Sequence, residues 1–337
     1  MWYVGLDVHW RQSSICILDE HGKKVKEQTI HGSWQEVLAV LGKLDHPFAI
    51  CYEAGNGSGW LYDQLTRLAR RVVVAHPGQL RLIFRSKRKN DRVDAAKLAM
   101  LLFMDQVPTI HVPNLEVRAW RSLIEFRTRL VQRRAGVKNM IRALLRSIGQ
   151  QAPRGLWTAK GQGWLKPLAW PSAMQGLQRD VLVDELTGLT AKIRQVEREL
   201  NRLGRQHGQV RLLRTIPGVG PRTAEAVVAY IDQAGRFSHN KAIGAYFGLV
   251  PCQDSSAGKD RLGHITCQGA ATVRRLVTEA SWQAIRRSPT VRAYFQRIVG
   301  QDPDRRKIAL VATAHYLLRV MLAMLGSGEC WRESVAA

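Results

Sequence analysis

Apolar positions open the chain in short runs. Tyr3-Val-Gly-Leu-Asp-Val8 reads as a strand. Ser14-Ile-Cys-Ile-Leu18 and Val25 to Ile30 continue it as antiparallel neighbours, with a turn at His21-Gly22. Ser33 has the chemistry of an N-cap for a helix running through Leu44. Phe48-Ala-Ile-Cys-Tyr52 and Val72-Val-Val-Ala75 read as buried strands, with a helix from Gly59 to Arg70 between them. Three strands followed by strands alternating with helices predict a mixed sheet with helical cover, an α/β domain over residues 1–112.

The period then changes. From Trp120 to Ile148 apolar residues recur at helical spacing, while Arg118, Arg121, Arg127, Arg129, Arg133, Arg134, Lys138, Arg142 and Arg146 occupy the other faces. Leu182, Leu186, Leu189, Ile193, Val196, Leu200 and Leu203 alternate in steps of four and three, the pattern of a coiled-coil seam, which Gly188 weakens. The segment Gln150 to Pro171, with Gly, Pro and three tryptophans, is assigned as the connection. Residues 113–205 are thus a helical coiled-coil or linker segment. Residues 206–337 form a mainly α C-terminal unit with a Gly-rich loop region from Gly248 to Gly269. Ile308 to Leu325 is the most apolar late stretch, but it contains His315 and Arg319, which favours a buried helix over a membrane span.

Composition narrows the partners. Among 337 residues, Lys plus Arg number 51 and Asp plus Glu 27, a formal net charge of +24. Such an excess calls for a polyanion, since neutralising phosphates releases counterions. Nucleic acid comes first and an anionic membrane surface second. The sparse acids along the first long helix make its basic side a nucleic-acid face in preference to a merely solvated one. The N-terminus lacks the charged and apolar regions of a signal peptide. The five cysteines form no CxxC pair, which argues against a zinc ribbon or a disulfide framework and fits the cytoplasm.

Four acids stand out. A ribonuclease-H-like fold has the strand order read above, and in it the first and fourth strands are neighbours. Asp7 on the first and Glu53 at the end of the fourth then converge on one sheet edge. Asp91 and Asp94 share a helix face that continues as Leu98, Leu101 and Leu102 and should point inward. Carboxylates there are costly unless paired or metal-bound, and four of them suit two Mg²⁺ ions acting on a phosphodiester. Each acid also has an ordinary reading. Asp91 follows Asn90 and complements a helix N-terminus; Asp94 has Arg81, Arg85 and Arg88 as ion-pair partners; Glu53 is placed to cap the next helix. The joint reading is metal binding.

Tyr3-Val-Gly-Leu-Asp-Val-His9, Tyr52-Glu-Ala-Gly55 and Lys89-Asn-Asp-Arg-Val-Asp-Ala95 resemble the DEDD (RuvC-like) insertion-sequence transposases, the bridge-RNA-guided recombinases. In the second half Ile216-Pro-Gly-Val-Gly220, Gly248-Leu-Val-Pro251, Ser255-Ser-Ala-Gly-Lys259 and Gly263-His-Ile-Thr266 follow the family's second domain in order. The resemblance implies that Asp7, Glu53, Asp91 and Asp94 bind Mg²⁺. It also implies that a serine aligned with Ser256, beside Ser255, attacks DNA and forms a phosphoserine link. Further implied are a homo-oligomer reaching a tetramer, with sites shared between protomers, and a noncoding guide RNA that pairs with donor and target DNA. Cys267 and Ala270 stand where the family usually has lysine and asparagine.

Lys259 and Arg261 are candidates to neutralise phosphate, as are Lys87, Arg88 and Lys89. Leu213 to Ala224 has helix-hairpin-helix character, and Gly218 and Gly220 open a turn whose amides suit a DNA phosphate or serve only the fold. On the residues alone, Ser255-Ser256 reads as an ordinary polar turn. A metal-dependent junction resolvase, in which water attacks, is the competing enzyme. A non-catalytic nucleic-acid-binding protein is the competing class. An actin-like kinase is disfavoured because Val8-His-Trp-Arg-Gln12 lacks the glycine needed close to ATP phosphates.

Overall fold

The computed structural model describes residues 1–83, 90–256 and 259–333, and divides into two compact units, Met1–Arg118 and Ala119–Ala337. In the first, β1 (Trp2–Val8), β2 (Gln12–Leu18) and β3 (Lys24–His31) are followed by α1 (Trp34–Leu41), β4 (Phe48–Glu53), α2 (Ser58–Leu65), β5 (Arg71–Ala75), α3 (Pro77–Ile83) and α4 (Asp91–Phe103). The sheet runs β3-β2-β1-β4-β5. Its first three strands pair antiparallel, and β1/β4 and β4/β5 pair parallel. This is the mixed, ribonuclease-H-like arrangement read from the sequence. The helix placed at Gly59 to Arg70 begins at Ser58 and stops at Leu65, and α1 stops at Leu41 instead of Leu44.

Strand alternation decides which side chains meet which helix. Val4 and Leu6, with Ile50 and Tyr52, pack beneath Val37, Leu41, Leu61 and Leu65 of α1 and α2. The opposite parity, Gly5 and Asp7 on β1 and Ala49, Cys51 and Glu53 on β4, belongs to the face that α4 covers. Small residues dominate there: Cys16 packs with Ala95 and Ala99, and Ala49 and Cys51 with Leu98, Leu101 and Leu102. A Cβ on Gly5 would lie 2.0 Å from the Ala95 carbonyl oxygen, so α4 crosses β1 at backbone contact.

The second unit holds most of α5 (Leu115–Ser147), then α6 (Ala159–Leu165), α7 (Ala173–Gln206), α8 (Gly208–Leu213), α9 (Pro221–Ile231) and α10 (Ala242–Tyr246). The connection assigned to Gln150–Pro171 therefore contains a short helix, capped by Thr158, whose hydroxyl accepts from the Gly161 amide. Leu130, Val137, Ile141 and Leu145 of α5 share a core with Leu186, Leu189 and Ile193 of α7, while Leu200 belongs to the larger C-terminal core. Several of the arginines assigned to a nucleic-acid face also have partners within the protein. Arg127 pairs with Glu197, Arg133 with Glu185, and Arg121 donates to the Ala229 and Tyr230 carbonyls.

The region expected to be a Gly-rich loop is in part a hairpin, β6 (Pro251–Ser256) and β7 (Lys259–Ile265). It escaped notice because Pro251-Cys-Gln-Asp-Ser-Ser has no apolar alternation, and the described residues of the hairpin are exposed apart from the partly buried Ile265. The unit closes with α11 (Ala271–Arg287), α12 (Pro289–Val299) and α13 (Arg306–Ser327). The helical stretch Pro303–Ser327 is long and apolar enough to cross a membrane. Leu317, Leu318 and Met321 of α13 are fully buried in the C-terminal core, which accounts for that apolarity.

Candidate active site

The acidic site forms where β1 and β4 run out. Leu6 and Tyr52 are the last paired residues of the β1/β4 ladder, and Asp7 and Glu53 follow them directly. Asn90 caps α4, its side chain accepting from the Arg92 amide at 3.1 Å, which places Asp91 and Asp94 in the first turn. The close crossing of α4 over Gly5 delivers that turn to Asp7.

Asp7 is the inner member, with its side chain 17% exposed. Burial is the first cause raising its carboxyl above the usual range; His9 opposes this, and Asp91, Asp94 and Glu53 add to it. All four predicted acids thus meet in one electrostatic neighbourhood. Asp91 and Asp94 are 38% and 31% exposed, at the rim of the apolar face instead of beneath it. Glu53 is exposed, and the cap of α2 is Gly57, not Glu53. Asp94 lies 3.2 Å from Lys97, one turn along α4.

The sequence reading passed over His9. Its Nε2 lies 3.4 Å from Asp7 Oδ2 and 3.9 Å from Asp91 Oδ1. Asp7, His9 and Asp91 each offer a donor atom, all within 4.8 Å of one another. The available signal was parity, since His9 is two positions beyond Asp7. The donor set suits a divalent cation: carboxylate oxygens for a hard ion, crowded so that like charges repel without one, and an imidazole that also serves transition metals.

The second set of predicted residues lies in the other unit. Ser256 ends β6, and its backbone stands opposite Lys259 of β7. Arg261 is exposed on β7, opposite Asp254. Ser255, the neighbouring candidate, accepts from Gln253 Nε2 at 2.9 Å. The side chains of Ser256 and Lys259, and the whole of Lys87, Arg88 and Lys89, lie outside the described residues.

The turn before α9 has Gly218 at φ +93, and a Cβ there would lie 2.5 Å from the Ala284 amide nitrogen, so packing against α11 alone demands glycine. Gly220 caps α9 with open space around it, free of that constraint. A residue the sequence reading did not single out sits inside α9. Glu225 is 1% exposed and pairs with Arg222 at 2.7 Å.

Two family profiles match the chain. A DEDD transposase profile of the IS110 type covers residues 4–150, and one described as transposase IS116/IS110/IS902 family covers residues 210–296. A probable family 20 transposase of Pseudomonas aeruginosa is 27% identical, over 98% of both chains. The transposase for insertion sequence element IS1111A of Coxiella burnetii is 26% identical over 84% of this chain and 78% of its own. The transposase for insertion sequence element IS1328 of Yersinia enterocolitica is 27% identical over 89% and 85%.

Proposed function

The chain belongs to the DEDD insertion-sequence transposases of the IS110 type, enzymes that act on DNA, and on that premise we propose that it is an RNA-guided recombinase whose acidic site works with a serine nucleophile. The observation that supports the metal-dependent part of the reading is the crowding of Glu53, Asp91 and Asp94 about the half-buried Asp7; the serine and the guide RNA come from the family resemblance. Carboxylates so placed repel one another, and that cost is recovered when they hold a cation against phosphate.

Asp7, Glu53, Asp91 and Asp94 would hold Mg²⁺, with His9 orienting Asp7. Bound there, the metal supplies charge neutralisation on the phosphodiester oxygens and on the leaving oxygen. Ser256 attacks phosphorus through Oγ. A serine–phosphate bond forms as the bond from phosphorus to one deoxyribose oxygen breaks; the serine proton passes to solvent, and the departing oxygen takes a proton from solvent to leave as a hydroxyl. The phosphoserine link conserves bond energy, so a second deoxyribose oxygen can reverse the step and seal a new junction. Lys259 and Arg261, with Lys87, Arg88 and Lys89 in the other unit, would neutralise flanking phosphates. The Gly220 turn would bind a DNA phosphate through its amides.

The remaining parts rest on the family resemblance: guide RNA choosing donor and target DNA, a tetramer with sites shared between protomers, and action in the bacterial cytoplasm on nucleoid DNA. The arrangement used is a catalytic domain over 1–112, a coiled-coil or linker segment over 113–205 and a serine-bearing domain over 206–337.

Trapping tests the reading. Full-length protein is incubated with end-labelled DNA carrying the element ends, the RNA encoded beside the gene, and Mg²⁺. A denaturation-resistant protein–DNA adduct is expected, absent in Ser256→Ala and in Asp7→Ala and present in Ser255→Ala. Cleavage that persists in Ser256→Ala without any adduct would replace the recombinase by a metal-dependent nuclease using water.

A further inference from the structure

Three tryptophans stand beside the acidic site. Trp10 follows β1, Trp34 opens α1 and Trp60 lies in α2. Trp34 and Trp60 stack with centroids 5.9 Å apart and planes at 28°, and Trp10 meets Trp34 edge-on at 5.4 Å and 70°. Together they line a shallow pocket of about 240 Å³. Trp10 is 76% exposed and Trp60 42%. Two exposed indoles flanking a third are unusual for a surface without a ligand, because each carries a large apolar face.

The group is tied to the acidic site at both ends. Trp34 Nε1 donates to the His9 carbonyl at 3.0 Å, and His9 is the residue whose ring reaches Asp7. Gly57, on the loop that leaves β4 after Glu53, lies under the Trp34 ring, where a Cβ would come within 2.5 Å. The indole that both other rings touch is therefore held by the two segments carrying Asp7 and Glu53. Arg11, exposed next to Trp10, adds a cation suited to the phosphate of a nucleotide on the rings.

We propose that Trp10, Trp34 and Trp60 are a stacking platform for an unpaired base of the DNA strand held at the acidic site. The assignment rests on the reading of that site as the DNA-cutting centre. Base pairs in a duplex present edges and not faces, so a ring platform engages a strand only where pairing is broken. Every base has a π-face, so the contact tolerates any sequence and leaves specificity elsewhere.

The test uses full-length Asp7→Asn protein, which should hold DNA without cutting it. Short single-stranded DNA carries the fluorescent base 2-aminopurine at successive positions; matched duplex and RNA of the same sequence are the other probes. Binding should quench 2-aminopurine at one or two adjacent positions in the DNA strand. In the Trp10→Ala/Trp60→Ala double variant the quench should vanish, and single-strand affinity should fall about 10-fold while duplex affinity holds. Trp10→Phe/Trp60→Phe should restore the quench, and an unchanged thermal midpoint verifies folding. Unchanged quench and affinity in the alanine variant, equal loss on duplex, or quench confined to RNA would each overturn the assignment. Failure of the underlying reading looks different: Asp7→Asn would still cut DNA in Mn²⁺, whatever the fluorescence does.

Discussion

Gly5 and Ala95 touch through backbone alone: a methyl on Gly5 would sit 2.0 Å from the Ala95 carbonyl oxygen and 2.4 Å from the Ala99 nitrogen. This one contact sets how near α4 comes to β1, and hence how near Asp91 and Asp94 come to Asp7. Gly5→Ala must move the helix, because both obstacles are main-chain atoms. Overpacking of this kind costs about 3 kcal/mol. Urea denaturation should register that loss, and Mn²⁺ affinity by calorimetry should fall with it. Gly188→Ala is the contrast. It lies inside α7 with nothing near its missing Cβ, and should stabilise by about 1 kcal/mol. Equal effects at the two glycines would refute the packing account.

The position of His9 leads to a second prediction. Its Nε2 is within reach of both Asp7 and Asp91. A group that orients a carboxylate ligand typically carries about 10–100-fold in metal affinity. His9→Ala should therefore weaken Mn²⁺ binding by that factor at neutral pH, and Asp7→Asn should weaken it further. An affinity for His9→Ala equal to wild type would make the imidazole a bystander.

These positions also mark what a sequence discloses. β1, β2, β4 and β5 were readable as buried apolar runs, the mostly exposed β3 was readable from the His21-Gly22 turn before it, and alternation along β1 and β4 carried Asp7 and Glu53 to the same face. The contact at Gly5 was not readable, since it depends on where a helix nearly ninety residues later crosses the strand. The hairpin β6/β7 was hidden because its exposed polar residues carry no periodic burial signal. The arginines of α5 looked like one basic face. Two of them answer acids that lie 52 and 70 residues away on α7, a pairing that only the fold reveals. Glu225 was overlooked because it falls in a run of apolar helical positions, where nothing local states that a carboxyl is buried.

Glu225 supplies the last prediction. It is 1% exposed, its Oε1 meets Arg222 at 2.7 Å, and its Oε2 has no hydrogen-bond partner among the described residues. Burial pushes its carboxyl from 4.5 up to about 7; Arg222, then Arg127 and Arg214, pull the other way without cancelling it. A carboxyl that holds its proton more tightly when folded favours the folded state at low pH. That contribution is complete below about pH 4.5 and is lost as pH rises through about 7. The difference corresponds to about 3 kcal/mol. Glu225→Gln keeps the neutral form at every pH. The stability of the variant relative to wild type should therefore rise by about that amount between mildly acidic and mildly alkaline buffer, measured by urea denaturation. A difference that stays constant across the range would mean that Glu225 remains ionised in the fold, held by Arg222 in spite of its burial.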